Sequence, residues 1–184
     1  LNTGRLRDQW HGMSRTGTLG RLFGHVAEPC VELNPQDMSR LGLQAGDLVQ
    51  LTSRRGQLIA PAQPSEAIGP MQTYMAMHWG QEYLSGIAPA GDAIAGVNAL
   101  TSPAFCPTSK QPELKHAAVR ITSPQLPWRM VAVAWLPETQ ALAAREALKP
   151  LMAAFAFTSC VPFGREPHEH GKVGVLFRAA AVEP

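Results

Sequence analysis

Glycine and proline recur so often along this chain that few segments can stay regular for long. The 184 residues include 16 glycines and 16 prolines, roughly a sixth of the sequence. Both residue types interrupt helices and strands, so the sequence predicts many turns joined by short strands rather than a helical bundle. Hydrophobic residues make up 45% of the chain and charged residues 16%, which excludes an intrinsically disordered segment. We therefore expect a compact, loop-rich domain with a mainly β fold.

Short apolar segments bounded by turn residues predict the strands, which cover residues 31–33, 48–53, 57–60, 71–77 and 116–122. A short helix is predicted from Asn34 to Leu41, because Asn is a good N-cap, Pro35 suits the first helical position and Gly42 suits the position after the last turn. Residues 1–25, 81–97 and 98–115 show no periodicity and are expected to be loops. Closing the strands into a barrel would remove exposed sheet edges, so we expect a small β-barrel over residues 1–123.

The tail after Pro124 and Pro127 has a different pattern. Residues 130–135 predict a strand, residues 138–157 a helix, and two further strands begin at Cys160 and at residue 173. Pro150 is expected to kink or divide this helix. The sequence thus predicts a second unit over residues 124–184, a small β-α-β-β appendage of the α+β class.

Positive charge is concentrated at the start of the chain. Residues 1–25, called the first segment below, contain Arg5, Arg7, Arg15 and Arg21 against Asp8, although the whole chain carries a net charge of only +2. Glycine lets a backbone approach a pyrophosphate closely, arginine binds phosphate through two parallel hydrogen bonds, and an indole offers a stacking surface for a heteroaromatic ring. The first segment is therefore either a ligand-binding loop or a basic surface arm that binds nucleic acid.

Two further clusters are candidates for the same site. Met77-His78-Trp79-Gly80 ends a predicted strand, and residues 98–115 place Asn98 and two lysines, Lys110 and Lys115, in one long loop. Taken alone, His78 is more often structural and this loop more often solvated. Three donor-rich loops on one small barrel nevertheless favour a shared ligand site.

Other signals are absent or weak. His168-Glu169-His170 predicts a solvated turn rather than a metal site, and we expect no metal ligands in the chain. The cysteines Cys30, Cys106 and Cys160 are odd in number and widely spaced, which predicts free thiols in a reducing, cytoplasmic setting. No segment is apolar enough to span a bilayer and no secretory signal is visible, so we expect no membrane contact. The low net charge likewise argues against a nucleic-acid partner.

Four motifs, in this order and spacing, are similar to one known family. They are NTGRLRDQWHGMSRTG at 2–17, EPCVELNPQDMSRLGLQAGDLVQLTSRRG at 28–56, MHWG at 77–80 and NALTSPAFCPTSKQPELKHAAVRI at 98–121. Together they resemble the molybdopterin-dinucleotide-binding domain at the C-terminal end of molybdenum oxidoreductases, and specifically of bacterial assimilatory nitrate reductases. The resemblance covers residues 1 to about 121, roughly two thirds of the chain. The tail from Pro124 matches no motif of the family.

The resemblance implies a six-stranded double-psi β-barrel with short flanking helices. It also implies that the chain holds one guanine dinucleotide of a molybdenum bis(molybdopterin guanine dinucleotide) cofactor in an enzyme that reduces nitrate to nitrite. The family's contacts match the stretch from Thr3 to Gly12 together with Asn98 and Lys115, and His78 would lie near the substrate funnel. Arg15 and Thr16 are added on chemical grounds. The expected cofactor-binding residues are Thr3, Gly4, Arg5, Gln9, Trp10, His11, Arg15, Thr16, His78, Asn98 and Lys115.

The resemblance also implies what this chain does not contain. The iron–sulfur segment and the protein ligand of molybdenum would lie in other domains of a longer enzyme, which would be the partners of this chain, and no catalytic residue is expected here. The isolated chain should then be inactive. Cys106 and Cys30 depart from the residues common in the family, an acidic residue and an aromatic one, which bears on local packing only.

Two alternatives remain open at this stage. One is the equivalent domain of another molybdenum or tungsten oxidoreductase, such as a formate dehydrogenase. The other is a non-enzymatic barrel used as a binding module, with the first segment as its arm.

Overall fold

A computed structural model describes residues 1–88, 91, 93–113, 116–164 and 171–183. In chain order the elements are β1 Asn2–Gly4, β2 Val31–Leu33, α1 Pro35–Leu41, β3 Leu48–Thr52, β4 Gln57–Pro64, β5 Thr73–Ala76, β6 Leu84–Ile87, β7 Ala93–Ala95, β8 Arg120–Thr122, β9 Trp128–Pro137, α2 Glu138–Met152, β10 Phe157–Phe163 and β11 Lys172–Ala181. Two 3₁₀ helices cover Gly20–Phe23 and Val97–Leu100. The prediction of a mainly β fold with short flanking helices is confirmed.

Six strands form a curled sheet in the order β1-β5-β2-β4-β3-β8. The pairs β1–β5 and β2–β4 are parallel, and the other neighbours are antiparallel. The curl brings the two edges together, because Asn2 of β1 bridges His116 and the Leu1 amino group donates to the Ala117 carbonyl oxygen at 2.9 Å. His116 and Ala117 come shortly before β8, the strand at the other edge of the sheet. The predicted six-stranded barrel is therefore the architecture of this part of the chain.

The two ends of α1 are capped by the residues that the sequence predicts. The Asn34 side chain accepts a hydrogen bond from the Gln36 N–H at 2.9 Å, which caps the first turn. Gly42 ends the helix with a left-handed φ of 66°, a conformation that favours glycine. The helix is thus fixed at both ends by residues within nine positions of each other.

A second, five-stranded sheet has the order β7-β6-β10-β11-β9. The expectation that residues 81–97 form a loop is wrong, because β6 and β7 lie there and Thr158 and Ser159 of β10 pair with Ser85 and Leu84. Glycine and alanine gave this stretch a loop-like composition, and the pairing that makes it a strand comes from a partner about 70 residues away. Two predicted strands are also shorter than expected, at Thr73–Ala76 and Arg120–Thr122.

The tail has the predicted β-α-β-β order in β9, α2, β10 and β11. The helix α2 ends two residues after Pro150, earlier than the predicted residue 157. Through β6 and β7, the tail shares a sheet with the first part of the chain. A division into two domains at residue 123 stays a prediction.

Each face of the five-stranded sheet packs on a separate cluster. Phe157, Val161 and Ala180 join the barrel core, while Cys160 and Phe177 pack under α2. The tail therefore lies directly against the barrel rather than at the end of a linker. None of the helices in the described ranges combines the length and the hydropathy of a membrane span.

Candidate functional site

The first segment begins as a strand inside the barrel wall. Thr3 and Gly4 of β1 lie parallel to Met75 and Ala76 of β5, and the Gly4 carbonyl oxygen accepts from the Met77 N–H at 2.9 Å. On the other side of β1 lies the stretch that contains His116. The chain leaves this strand at Arg5 and enters the loop that carries most of the candidate residues.

His78 fixes the start of this loop. Its side chain is fully buried, its Nε2 accepts the Leu6 N–H at 2.9 Å, and its Nδ1 is paired with the His11 carbonyl oxygen. The first contact requires an unprotonated Nε2, so the ring is the neutral tautomer that donates from Nδ1. Both ring nitrogens are thus used by the backbone of the loop. In this structure His78 therefore positions the loop, and its contact with the cofactor stays a prediction.

Gln9 and Thr16 give the loop its shape. Gln9 is only 8% exposed, and its amide donates to the Leu22 carbonyl oxygen at 3.2 Å. The Thr16 hydroxyl donates to Gln9 Oε1 at 2.7 Å and accepts the Trp10 N–H at 3.3 Å. These contacts join the two ends of the stretch from residue 9 to residue 16, so the two polar side chains serve the loop itself.

Four other candidate side chains face outward. Arg5, Trp10, His11 and Arg15 are exposed, with the indole of Trp10 at 48%. The Arg15 guanidinium carbon lies 5.7 Å from the centre of the Trp10 ring, and the His11 ring meets that indole edge-on at 4.7 Å. The loop therefore presents cationic groups and one aromatic face together, which suits a ligand that combines phosphate with a flat ring.

Gly12 lies in the middle of this exposed surface. A Cβ placed there would have no atom within 4 Å, so the backbone is open to close approach from outside. The neighbours His11 and Met13 both have positive φ, at 42° and 60°. This conformation is rare for residues with a side chain and marks a tightly reversed backbone.

The segment of Asn98 comes close to the same region. Asn98 is exposed on the 3₁₀ helix Val97–Leu100, which follows Gly96. Gly96 has a φ of 58°, and a Cβ there would stand 2.7 Å from the Trp79 carbonyl oxygen, so this turn packs directly against the backbone of Trp79, the residue after His78. Lys115 lies outside the described residues, and its neighbour His116 adjoins β1. The structure thus brings the first segment, the stretch 77–80 and the Asn98 turn together.

Sequence reasoning missed Arg145 and Tyr83, which both lie against Gly17 of the first segment. Arg145 of α2 donates from Nη1 to the Gly17 carbonyl oxygen at 2.8 Å, and its guanidinium lies 5.1 Å from the centre of the Tyr83 ring. The available signal was spacing, because Ala141, Arg145 and Met152 lie on one face of the helix and all three are buried. A lone arginine on an apolar helix face indicates a specific buried contact.

The three cysteines are unpaired. Burial raises the pKa of the Cys30 thiol to about 11, and hydrogen bonds from Ser109 lower the pKa of the exposed Cys106 thiol. Within the described ranges, no group of three His, Cys, Asp or Glu side chains could hold a metal ion. The sequence His168-Glu169-His170 lies outside those ranges.

Comparison with known families identifies the part of the chain that contains the first segment. A family model described as the Molydopterin dinucleotide binding domain matches residues 1–118. The chain belongs to this family. The resemblance read from the four motifs is thereby confirmed, and the matched range contains every candidate residue named from the sequence. Which of those residues touch the dinucleotide stays a prediction.

Relatives of this binding domain differ in their reactions. A nitrate reductase from Klebsiella oxytoca is 37% identical over 129 residues, which cover 70% of this chain and 14% of that protein. An F420-dependent formate dehydrogenase subunit alpha from Methanocaldococcus jannaschii is 34% identical over 121 residues, 66% of this chain and 16% of that protein. Acetylene hydratase from Pelobacter acetylenicus has the same fold, with a TM-score of 0.51, 16% identity, and coverage of 67% of this chain and 18% of that one. This chain thus spans a small part of the length of the curated relatives.

Proposed function

We propose that this chain is the part of a molybdenum nitrate reductase that binds one molybdopterin guanine dinucleotide of a bis-dinucleotide cofactor. The observation that carries the proposal is the exposure of Arg5, Trp10 and Arg15 on one loop, whose backbone is hydrogen-bonded to the buried His78 ring. When bound, the cofactor supplies the transfer of two electrons and an oxygen atom by which nitrate and two protons become nitrite and water. The residues of this chain would bind the dinucleotide and position it.

The residues present suit such a ligand. Arg5 and Arg15 are exposed and can pair with a pyrophosphate, while Trp10 can stack on a ring. The open backbone at Gly12 leaves room for close approach. Asn98 and Lys115 would complete the contacts from the adjoining segment, and Thr3 and Gly4 would approach through their backbone. In this proposal Gln9, Thr16 and His78 hold the loop, and His11 contributes its ring to the surface.

Nitrate as the substrate is supported by nitrate reductase relatives from several bacteria, at 31–40% identity. We propose an assimilatory, cytoplasmic role, with the iron–sulfur cluster and the molybdenum ligand supplied by other domains of the longer enzyme. The isolated chain would then be unable to reduce nitrate. The formate dehydrogenase relatives, at 30% and 34% identity, support the second candidate. Assaying the whole protein with nitrate and with formate separates the two.

Titration of the chain with guanosine diphosphate tests the binding surface. Binding should quench the fluorescence of Trp10, since the indole lies beside Arg15, one of the two arginines that would hold the diphosphate. The chain contains 4 tryptophans, so Trp135→Phe is the matched control, because Trp135 is exposed on β9 outside the first segment. The quench should disappear in Trp10→Phe and persist in Trp135→Phe. A quench that persists in Trp10→Phe would contradict the proposed surface.

Substitution of the arginines tests the phosphate contacts. Arg5→Ala and Arg15→Ala should each weaken binding about tenfold, the effect of one lost charge-assisted hydrogen bond. Arg129→Ala, an exposed arginine on β9, is the control and should leave binding unchanged. In the whole enzyme, Arg5→Ala and Lys115→Ala should deplete bound molybdenum. Full molybdenum content in both variants would count against the assignment.

A further inference from the structure

A buried arginine of the tail contacts the loop of the first segment. Arg145 lies in the middle of α2 and is 6% exposed. Its Nη1 donates to the Gly17 carbonyl oxygen at 2.8 Å, across 128 positions of sequence. Its Nε has no hydrogen-bond partner among the described residues. Burial of a guanidinium is costly unless its donors are used. The Tyr83 hydroxyl and the Cys160 thiol are also within hydrogen-bonding reach of this guanidinium, and the Gly17 contact is the one that joins it to the first segment.

Gly17 ends the turns that carry the exposed candidate residues. The N–H groups of Thr16 and Gly17 donate to the Met13 carbonyl oxygen at 3.2 and 2.8 Å, and the Met13 N–H donates to the Trp10 carbonyl oxygen at 2.6 Å. A chain of backbone hydrogen bonds therefore runs from Trp10 to Gly17. A charged donor on its last carbonyl oxygen stabilises the whole chain of turns.

Tyr83 packs closely against Gly17. A Cβ on Gly17 would stand 1.8 Å from the Tyr83 hydroxyl oxygen and 2.8 Å from the Met13 carbonyl oxygen, so any larger residue would force these groups to move. The guanidinium of Arg145 lies 5.1 Å from the centre of the Tyr83 ring. Gly17, Tyr83 and Arg145 thus pack as one unit. Tyr83 and Arg145 also line a cleft of about 570 Å³ between the first segment and α2.

Among the described residues, the tail also contacts the first segment at Gly20 and the residues after it at Glu28. A Cβ on Gly20 would stand 3.0 Å from the Phe163 carbonyl oxygen of β10, so the two backbones are in close contact. Arg178 of β11 donates to both carboxylate oxygens of Glu28 at 2.9 Å. Of these contacts, only the one from Arg145 reaches the turns that present Trp10 and Arg15.

We propose that Arg145 is a positioning residue, through which the tail holds residues 10–17 in the shape that binds the guanine dinucleotide. The identity of the ligand rests on the proposed function above, whereas the hold on the loop rests on the Arg145 contacts alone. This gives a role to the tail, which lies outside the range that the family model matches.

Hydrogen exchange of the full chain, measured without ligand, tests the hold on the loop. In Arg145→Met, the amides of residues 13–19 should exchange about tenfold faster, because loss of one charge-assisted hydrogen bond lowers the cost of local opening. Amides of the β3–β4 hairpin should keep their rates. Arg178→Met is the matched control, since it removes another tail arginine that binds Glu28 instead. It should leave residues 13–19 unchanged.

Two results would overturn the proposal. One is an unchanged exchange rate of residues 13–19 in Arg145→Met, and the other is an equal acceleration in Arg145→Met and Arg178→Met, which would mean that the tail contributes only general stability. If Arg145→Met does not fold, Arg145→Lys decides between the same outcomes. It keeps the charge but loses the planar fork, and should accelerate exchange at residues 13–19 about threefold.

The affinity for guanosine diphosphate tests whether the contact between Arg145 and the loop matters for ligand binding. Arg145→Met should weaken binding about tenfold relative to Arg178→Met, because part of the binding energy is then spent on ordering the loop. Equal affinities of the two variants would overturn the link. A wild-type chain that does not bind guanosine diphosphate, with the exchange difference intact, would count against the proposed ligand and leave the hold on the loop standing.

Discussion

Replacement of His78 by alanine should destabilise the fold more than any substitution on the exposed surface of the first segment. The variant loses two hydrogen bonds, one from the Leu6 N–H and one to the His11 carbonyl oxygen. Each contributes about 1 kcal/mol, and the cavity left by a fully buried ring costs about 2 kcal/mol more. We therefore expect the free energy of unfolding to fall by about 4 kcal/mol, which lowers the melting temperature by about 8–16 °C.

Thermal unfolding followed by circular dichroism measures this effect. The matched control is His11→Ala, because the His11 side chain is exposed and only its carbonyl oxygen bonds to His78. The control should change the free energy of unfolding by less than about 0.5 kcal/mol. Equal destabilisation by the two substitutions, or a loss of less than 1 kcal/mol in His78→Ala, would refute the positioning role of His78.

Three further substitutions or treatments test the surrounding structure. Asn34→Ala should lower the free energy of unfolding by about 1 kcal/mol in urea denaturation, since the capping bond to the Gln36 N–H is lost. Gly86→Ala should cost more than about 2 kcal/mol, because a Cβ there would stand 2.2 Å from the Ala156 carbonyl oxygen; a stable variant would contradict the close packing of β6 on the tail. Iodoacetamide at pH 7.5 should alkylate Cys106 at least about tenfold faster than Cys30. Hydrogen bonds from Ser109 lower the pKa of the exposed Cys106 thiol, whereas burial raises the pKa of the Cys30 thiol to about 11. Equal alkylation rates by mass spectrometry would contradict these pKa directions.

The sequence predicted best what local chemistry decides. Asn34 and Gly42 mark the ends of α1 through caps within the helix itself, so the helix could be placed without any tertiary information. The residue types of the first segment indicated either a ligand-binding loop or a basic surface arm, and Arg5, Trp10 and Arg15 are exposed in the structure; their contact with a ligand stays a prediction. Both predictions concern side chains whose behaviour depends on their immediate neighbours in sequence.

What the sequence could not predict depends on distant partners. β6 is a strand because β10 pairs with it, and its own glycine and alanine content favours a loop. The role of His78 likewise depends on two backbone groups about 70 positions earlier in the chain. Arg145 contacts Gly17 across an even longer separation. Such contacts are set by the closed barrel and the sheet packed against it, which no local pattern encodes.

A structure of the protein with its pterin guanine dinucleotide bound tests the central claim most directly. The quantity to measure is the distance from the pyrophosphate oxygens to the guanidinium groups of Arg5 and Arg15. We predict a distance of hydrogen-bond length, about 2.7–3.2 Å, to at least one of them, with Trp10 in contact with a ring of the ligand. A dinucleotide seated instead in the apolar groove beside Leu33 and Ile121 would contradict the account.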